Sequence, residues 1–314
     1  MKTEPTLETF LSWPTEKVAE VVRADGPKVC VFPINGTRRW FMLEYPPDSE
    51  EEFAGSYLDI MTRRHIELYK LCFDHGIDTL LTPIFGPDLL ERGEEYVALA
   101  VEGMARLGTH ADFLDFYREY KVRVRFYGDY RKFLEPTPHH ALADIFDNAT
   151  QRTRNHKRYR LFFGVFAHDA VETLAELAIA FYREHGRIPE KRTLVELYYG
   201  EYVEPVDFFI GFDKFSAFDM PLVATGEEDL YFTVAPSPYL TEKQLRTILY
   251  DHIYVRPEGD TEYAELTPDD WSLMRSFYQA NLEKTQGVGA RTKGGGFWYP
   301  LPQVELPEAF KDAC

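Results

Sequence analysis

Cysteine is scarce in this chain. Cys30, Cys72 and Cys314 are an odd, widely spaced set, with no Cys-x-x-Cys pair and no metal-ligand spacing. That excludes a disulfide framework and a thiolate metal centre, and it points to a reducing compartment. Long hydrophobic runs are missing too. No stretch reaches the roughly 18 apolar residues that a membrane-spanning helix needs, and the opening MKTEPTLETF has no signal core. A soluble, cytoplasmic protein without an integral membrane segment is expected. Positive charge is also in short supply: 35 Lys and Arg stand against 52 Asp and Glu, for a net charge of −17 and a pI near 5.0. Nucleic acid and anionic membrane surfaces are therefore poor partners for the protein as a whole. A small anion can bind only where arginines gather locally.

What is present is apolar and aromatic. The 45% hydrophobic and 15% aromatic content suffices for a sizeable core and a lined pocket. Short β-branched and aromatic runs predict strands at 29–34, 79–85, 122–128, 160–167, 207–212 and 230–234. Several are apolar almost throughout, as strands covered on both faces are. Helical patterns separate them at 53–75, 88–107, 139–155, 169–185 and 241–252. In the first, Phe53, Tyr57, Ile60, Met61, Leu68 and Leu71 share one stripe and Gly76 marks the end. In the last, Thr241 and Gln244 have capping-box spacing. Alternation of this kind predicts an α/β fold with a six-stranded, mainly parallel sheet flanked by helices. Its ligand crevice should lie beyond the carboxyl ends of the strands. The pattern changes at the polar stretch RPEGDTEY. Residues 1–255 are therefore read as one main domain and 256–314 as an extension, with a helix near 267–283 and a Gly-rich tail. That tail is either flexible or a backbone in close approach to something.

The sharpest chemical signal follows the first strand: Ile34-Asn35-Gly36-Thr37-Arg38-Arg39-Trp40. A glycine at a strand-to-helix turn followed by two arginines suits a diphosphate. Backbone N–H groups and a helix N-terminus favour anions, and guanidinium forks match phosphate oxygens. Alone, the heptapeptide also suits a solvated turn with surface arginines.

FPINGTRRW resembles the cis-prenyltransferase signature, a strand followed by Asp-Gly-Asn-Gly-Arg-Trp. LTPIFGPDLLERG, VRVRFYGDYRKF, LFFGVFAHDAVE and DFFIGFDKFSAFDMPL with EDLYFT and TEKQLRTILYDH are similar to later segments of that family, in the same order. The resemblance covers about residues 28–255 and implies the undecaprenyl diphosphate synthase-like fold with a C-terminal helical extension. It also implies Mg²⁺ as a cofactor, an isoprenoid diphosphate as substrate and a homodimer. The departures are informative. Asn35 stands where elongating enzymes carry a metal-binding aspartate, so an amide replaces a charge and metal binding should weaken. Gly211 and Leu89 replace an arginine and an asparagine needed for a second diphosphate, while Arg92, Lys214 and Ser216 match retained positions. Chain elongation is therefore not expected.

Gly36-Thr37-Arg38-Arg39-Trp40, with YFTVAPS, LYDHIY and the tail QGVG…GGGFW, resembles a smaller branch, the tuberculosinol (tuberculosinyl adenosine) synthases and kolavelool synthases. The branch implies a diterpene synthase that ionises a bicyclic twenty-carbon diphosphate, of halimadienyl or kolavenyl type, and captures the cation with water. Transfer to a nucleoside and a non-catalytic subunit are the alternatives. On this reading Gly36, Thr37, Arg38, Arg39, Arg92, Lys214 and Ser216 hold the diphosphate, and Asn35, Arg39 and Tyr57 are catalytic. Phe53 is the alternative match to the branch's tyrosine. Asn35 and Asp229 are the metal candidates, Asp229 also reading as a solvated strand-entry carboxylate. Asp88 and Glu91 read as first-turn helix carboxylates, His168-Asp169 as a helix cap, and the acidic run from Asp48 to Glu52 as a solvated loop. Tyr198, Tyr199 and Tyr202 read as structural.

Overall fold

The expected alternation is realised in the computed structural model, which describes residues 4–46, 49–256, 266–293, 296–301 and 304–305. Val29–Val31 (β1), Thr79–Phe85 (β2), Val122–Tyr127 (β3), Tyr159–Val165 (β4), Phe208–Phe212 (β5) and Asp229–Thr233 (β6) form one sheet. All pairings are parallel, in the order β3-β4-β2-β1-β5-β6. Cys30 sits between Leu80 and Phe208 in register. The first strand stops short of residue 34 because Pro33 has no N–H for the ladder.

Helices Leu7–Ser12 (α1) and Thr15–Ala24 (α2) precede β1. Thr37–Glu44 (α3) and Glu50–Asp74 (α4) lead to β2, and Glu94–Thr109 (α5) and Ala111–Tyr120 (α6) lead to β3. Tyr130–Leu134 (α7) and Ala141–Thr153 (α8) lead to β4, and Val171–His185 (α9) and Lys191–Tyr199 (α10) lead to β5. Glu242–Tyr250 (α11) follows β6 behind the Thr241–Gln244 capping box. One sheet face packs Phe73, Phe116, Phe146 and Leu245 from α4, α6, α8 and α11. The opposite face packs Val195, Tyr198 and Tyr199 of α10 against Phe162 and Phe209. Both faces are covered, which explains why the strands read as apolar runs. The chain leaves β1 for β2 on one side and returns to β5 on the other. The sheet therefore has its switch point beside β1, where parallel sheets place ligands.

Several local expectations are corrected. The stretch 88–107 is not one helix: a 3-10 turn at Pro87–Glu91 precedes α5, whose first-turn acids are Glu94 and Glu95. Glu91 belongs to that turn, and the Asp88 side chain lies outside the described residues. His168-Asp169 does not cap α9. Ala170 occupies the cap without a side-chain bond, and Asp169 adopts φ +52° with its N–H donated to the Asp219 carboxylate at 3.2 Å. Residues 50–52 form the first turn of α4 rather than a loop, and Asp48 lies outside the described residues.

Beyond residue 256 come Pro268–Ala280 (α12) and an antiparallel pair, Gly289–Arg291 (β7) with Trp298–Pro300 (β8). Close approach explains Gly289, since a Cβ there would lie 2.2 Å from the Trp298 indole. Residues 257–265, 294–295 and 306–314 lie outside the described part.

Candidate active site

The turn after β1 is built around Gly36. It adopts φ +75° as the N-cap of α3, a conformation that costs a side-chain-bearing residue strain. An added Cβ would also meet Phe212 at 2.8 Å and Pro236 at 2.9 Å. The turn is clamped from the far end of the sheet, because Asn35 and Ser237 exchange bonds of 3.1 and 3.0 Å through the Asn35 N–H and carbonyl. Glycine thus lets β5 and the 236–237 segment press on the backbone that opens α3.

That opening lies at the mouth of a cavity of about 460 Å³, which runs between the sheet face and helices α4 and α5. Asn35, Gly36, Thr37, Arg38, Arg39 and Arg92 all line it. Each arginine rests on an aromatic face: Arg38 over Phe53 at 5.3 Å, Arg39 over Phe212 at 5.4 Å, and Arg92 over Tyr96 at 4.9 Å. Each ring packs against its guanidinium group at the mouth, and planar guanidinium forks are the side chains that match phosphate oxygens. Arg39 is about half exposed, and its ion pair with Asp213 is long at 3.6 Å. Among the described residues that line the cavity there is no Asp or Glu. In a chain of net charge −17, this is a local positive patch on a greasy tunnel. Deeper in, Leu58, Met61, Leu99, Met104, Leu107 and Phe113 form apolar walls.

Tyr57 and Phe53 both face this space, one turn apart on α4, with their rings stacked at 5.0 Å and 19°. Their positions differ in chemistry. The Tyr57 hydroxyl lies 2.8 Å from Thr37 Oγ1, whereas Phe53 carries Arg38. Burial raises the Tyr57 pKa, with the Thr37 hydrogen bond and the Arg38 charge opposing. The phenol therefore stays protonated, able to donate.

Other candidates lie elsewhere. Lys214 and Ser216 follow β5 but are exposed and absent from the cavity lining, and the Ser216 hydroxyl donates to the Lys214 carbonyl at 3.4 Å. Asp229 starts β6, at the opposite end of the sheet, about 13 Å along the strand from Thr233. Its carboxylate is already engaged by His252 Nδ1 at 2.7 Å and Arg256 at 3.0 Å. Within this chain it does not meet Asn35, so the pairing of these two as metal ligands is corrected. A resident Mg²⁺ fits this donor set poorly. The hard cation prefers carboxylate oxygens, the described mouth residues offer the neutral Asn35 amide and Thr37 hydroxyl but no carboxylate, and no cluster of three or more His, Cys, Asp or Glu occurs among the described residues.

At the position where an arginine was expected of elongating enzymes, Gly211 is buried in β5, and a Cβ there would strike the Phe232 ring at 2.5 Å. A larger side chain requires Phe232 to shift. Leu89 is buried and lines the cavity wall as an apolar residue.

Residues that the sequence reading passed over also line the space. Tyr96 stands near enough to Tyr57 to influence its ionisation, and His65, Tyr69 and Thr82 lie deeper. Arg92 in extended backbone just before α5 and Tyr96 in its first turn are four residues apart, which was the available signal for Tyr96.

No protein-family model matches the chain. Over 294 residues it is 46% identical to the tuberculosinyl adenosine transferase of Mycobacterium tuberculosis, covering 92% of this chain and 96% of that protein. The chain belongs to this transferase family. A second member-like relative, the (+)-kolavelool synthase of Herpetosiphon aurantiacus, is 26% identical over 96% of this chain and 97% of its own length. Among solved structures, lavandulyl diphosphate synthase from Lavandula x intermedia, in complex with dimethylallyl diphosphate, superposes with a TM-score of 0.59 at 16% identity. It covers 75% of this chain and 98% of the solved one. A candidate undecaprenyl diphosphate synthase from Campylobacter jejuni gives 0.54 at 14% identity, over 74% and 97%. At such identities these two show the fold alone, which is the cis-prenyltransferase fold. The family is enzymatic, and a prenyltransferase-like, diterpene-related function follows for this chain. A non-catalytic subunit is set aside.

Proposed function

We propose that the enzyme ionises a bicyclic twenty-carbon allylic diphosphate at this mouth and transfers the diterpenyl group to a nucleoside such as adenosine. The observation that carries the reading is the convergence of Arg38, Arg39 and Arg92 on an apolar cavity free of described acidic residues. The C–O bond breaks and its electron pair leaves with the diphosphate, whose charge the three guanidinium groups offset as it develops. The opening backbone N–H groups of α3 add neutral donors, while the Thr37 hydroxyl donates to Tyr57. The allylic cation forms beside the faces of Phe53, Tyr57 and Tyr96, whose ring quadrupoles favour it. Tyr57, kept neutral and oriented by Thr37, donates toward the departing oxygen. A ring nitrogen of the acceptor then forms the new C–N bond.

The second reading ends in water capture and a diterpene alcohol. The kolavelool synthase relative favours it, and so does the half-exposed mouth at Arg39, through which water has access. Mg²⁺, if used, arrives on the diphosphate. Lys214 and Ser216 stay outside the diphosphate site in this reading. Catalysis belongs to residues 1–255, and 256–314 form the extension. A cytoplasmic homodimer is part of the proposal. Free, buried Cys30 and Cys72 suit a reducing compartment, and no described helix is long and apolar enough to cross a membrane. Exposed Phe215, Leu230 and Val234 beside edge strand β6 suit a subunit contact.

The test is incubation with linear and bicyclic fifteen- and twenty-carbon diphosphates, with and without adenosine, read by mass spectrometry. Consumption of bicyclic twenty-carbon substrates with an adenosine adduct is expected. An alcohol alone selects the second reading, and turnover of none of the bicyclic substrates overturns both.

A further inference from the structure

Below the arginines, the apolar tunnel contains polar atoms that ionisation and transfer do not use. His65 lies eight residues beyond Tyr57 on α4, two turns or about 12 Å deeper. Its Nδ1 lies 2.8 Å from the Met61 carbonyl. A carbonyl only accepts, so Nδ1 carries the hydrogen and Nε2 presents a lone pair. Among the described residues Nε2 has no hydrogen-bond partner. The ring keeps accessible surface although it lies deep in the protein, and it lines the cavity, so that surface is cavity surface. Burial holds the imidazole neutral, with its pKa lowered to about 4.

Thr82, near the end of β2, is 3% exposed and lines the same space, and among the described residues its hydroxyl has no hydrogen-bond partner within 3.5 Å, with Tyr69 a polar neighbour. Tyr69 links the two positions, lying beside Thr82 and nearly parallel to the His65 ring at 6.1 Å and 29°. An acceptor and an unpartnered hydroxyl therefore sit in an otherwise greasy chamber. Buried polar groups without partners are rare, and they discriminate between ligands that satisfy them and ligands that do not.

Resting on the reading above, we propose that His65 and Thr82 form a specificity station for a hydroxyl on the ring end of the substrate. The physiological substrate is then a ring-hydroxylated bicyclic diterpenyl diphosphate. The roles are complementary: the substrate O–H donates to His65 Nε2, and the Thr82 O–H donates to the substrate oxygen. Depth excludes a base acting on the cation. The allylic carbons stay within a few ångströms of the leaving oxygen, whereas His65 lies about 12 Å further along α4 than Tyr57, the depth at which the ring system of such a substrate would sit. A pure hydrocarbon displaces water from both atoms and returns nothing. The station thus makes His65 and Thr82 specificity-determining residues rather than catalytic ones.

The experiment uses a matched pair: a halimadienyl- or kolavenyl-type bicyclic diphosphate, and its derivative hydroxylated on the ring distal to the side chain. Equilibrium binding by calorimetry and kcat/KM by diphosphate release are measured for the wild type, His65→Phe, His65→Gln and Thr82→Val. Wild type should favour the hydroxylated member by about tenfold or more in both readouts. His65→Phe and Thr82→Val should each bring the ratio toward one, chiefly by weakening the hydroxylated member, and His65→Gln should restore part of it. A wild-type ratio within twofold overturns the station, as does equal loss on both substrates in the variants, which marks a structural role. So does a preference for the hydrocarbon with a trapped water between His65 and Thr82. If both members bind and release diphosphate without preference, only this inference falls. If neither binds, the ionisation reading falls with it.

Discussion

The hydroxyls of Thr37 and Tyr57 lie 2.8 Å apart, joining the first residue of α3 to the middle of the tunnel wall. Phe41 sits edge-on to the Tyr57 ring at 5.3 Å and fixes it from behind. In the proposed mechanism Thr37 belongs to the turn that would hold the diphosphate and Tyr57 to the wall that would meet the cation, so one bond couples the two halves of the site. Tyr57→Phe keeps the ring and removes the donor. A fall in kcat of about tenfold to a thousandfold is expected, the range of a single lost transition-state donor, with little change in melting temperature. Unchanged kcat would release Tyr57 from the mechanism.

Arg39→Ala and Arg92→Ala each remove a fork from the mouth. Each should lower kcat/KM by about a hundredfold to a thousandfold, or about 3 to 4 kcal/mol. Arg39→Lys should recover only part, since an ammonium cannot make two parallel bonds to phosphate. Steady-state assay of diphosphate release is the measurement. Near-normal rates in Arg39→Ala would remove the cradle.

Asn35→Asp places a carboxylate where none of the described lining residues has one. The variant should show a steeper response to added Mg²⁺ than the wild type, because the hard cation gains a charged oxygen ligand. A magnesium titration of activity, with chelator as zero point, reads the difference. Identical curves would mean that side chain 35 does not face the ion.

Gly211→Arg rebuilds the residue type expected of a chain-elongating enzyme, but the ring of Phe232 fills the space at 2.5 Å. Overpacking of a buried strand should cost about 1 to 3 kcal/mol without conferring elongation. Thermal denaturation and product chain length check the two statements separately. A stable variant would show that Phe232 moves aside.

The neutral His65 makes a pH prediction. Its folded pKa of about 4 lies below the ordinary 6.5, so the unfolded chain takes up this proton first as pH falls. Stability should therefore decline from pH 6.5 downward, levelling near pH 4, by up to about 3 kcal/mol in total. His65→Phe should flatten the slope in that window by one proton, as read from denaturation midpoints across pH. An unchanged slope would mean the imidazole titrates normally.

Local pattern and tertiary structure contributed differently to this protein. Largely apolar runs at β2, β4 and β5 are stable only if covered on both faces, so the parallel sheet could be read from the chain. Gly36 followed by Arg38 and Arg39 revealed the candidate turn because φ > 0 and guanidinium forks are properties of single residues. Short helices such as α1, α7 and α10 were not legible, being held by packing rather than by their own periodicity.

Proximity across the fold lay beyond the sequence. Whether Asp229 meets Asn35 depends on strand direction, and parallel pairing sends it to the far end of the sheet, against His252 and Arg256. That Phe232 occupies the space beside Gly211, and that His65 and Thr82 line one chamber, depend on how distant segments meet. A chain encodes its residue chemistry locally, but distances between separate elements arise only when the sheet and helices close on one another.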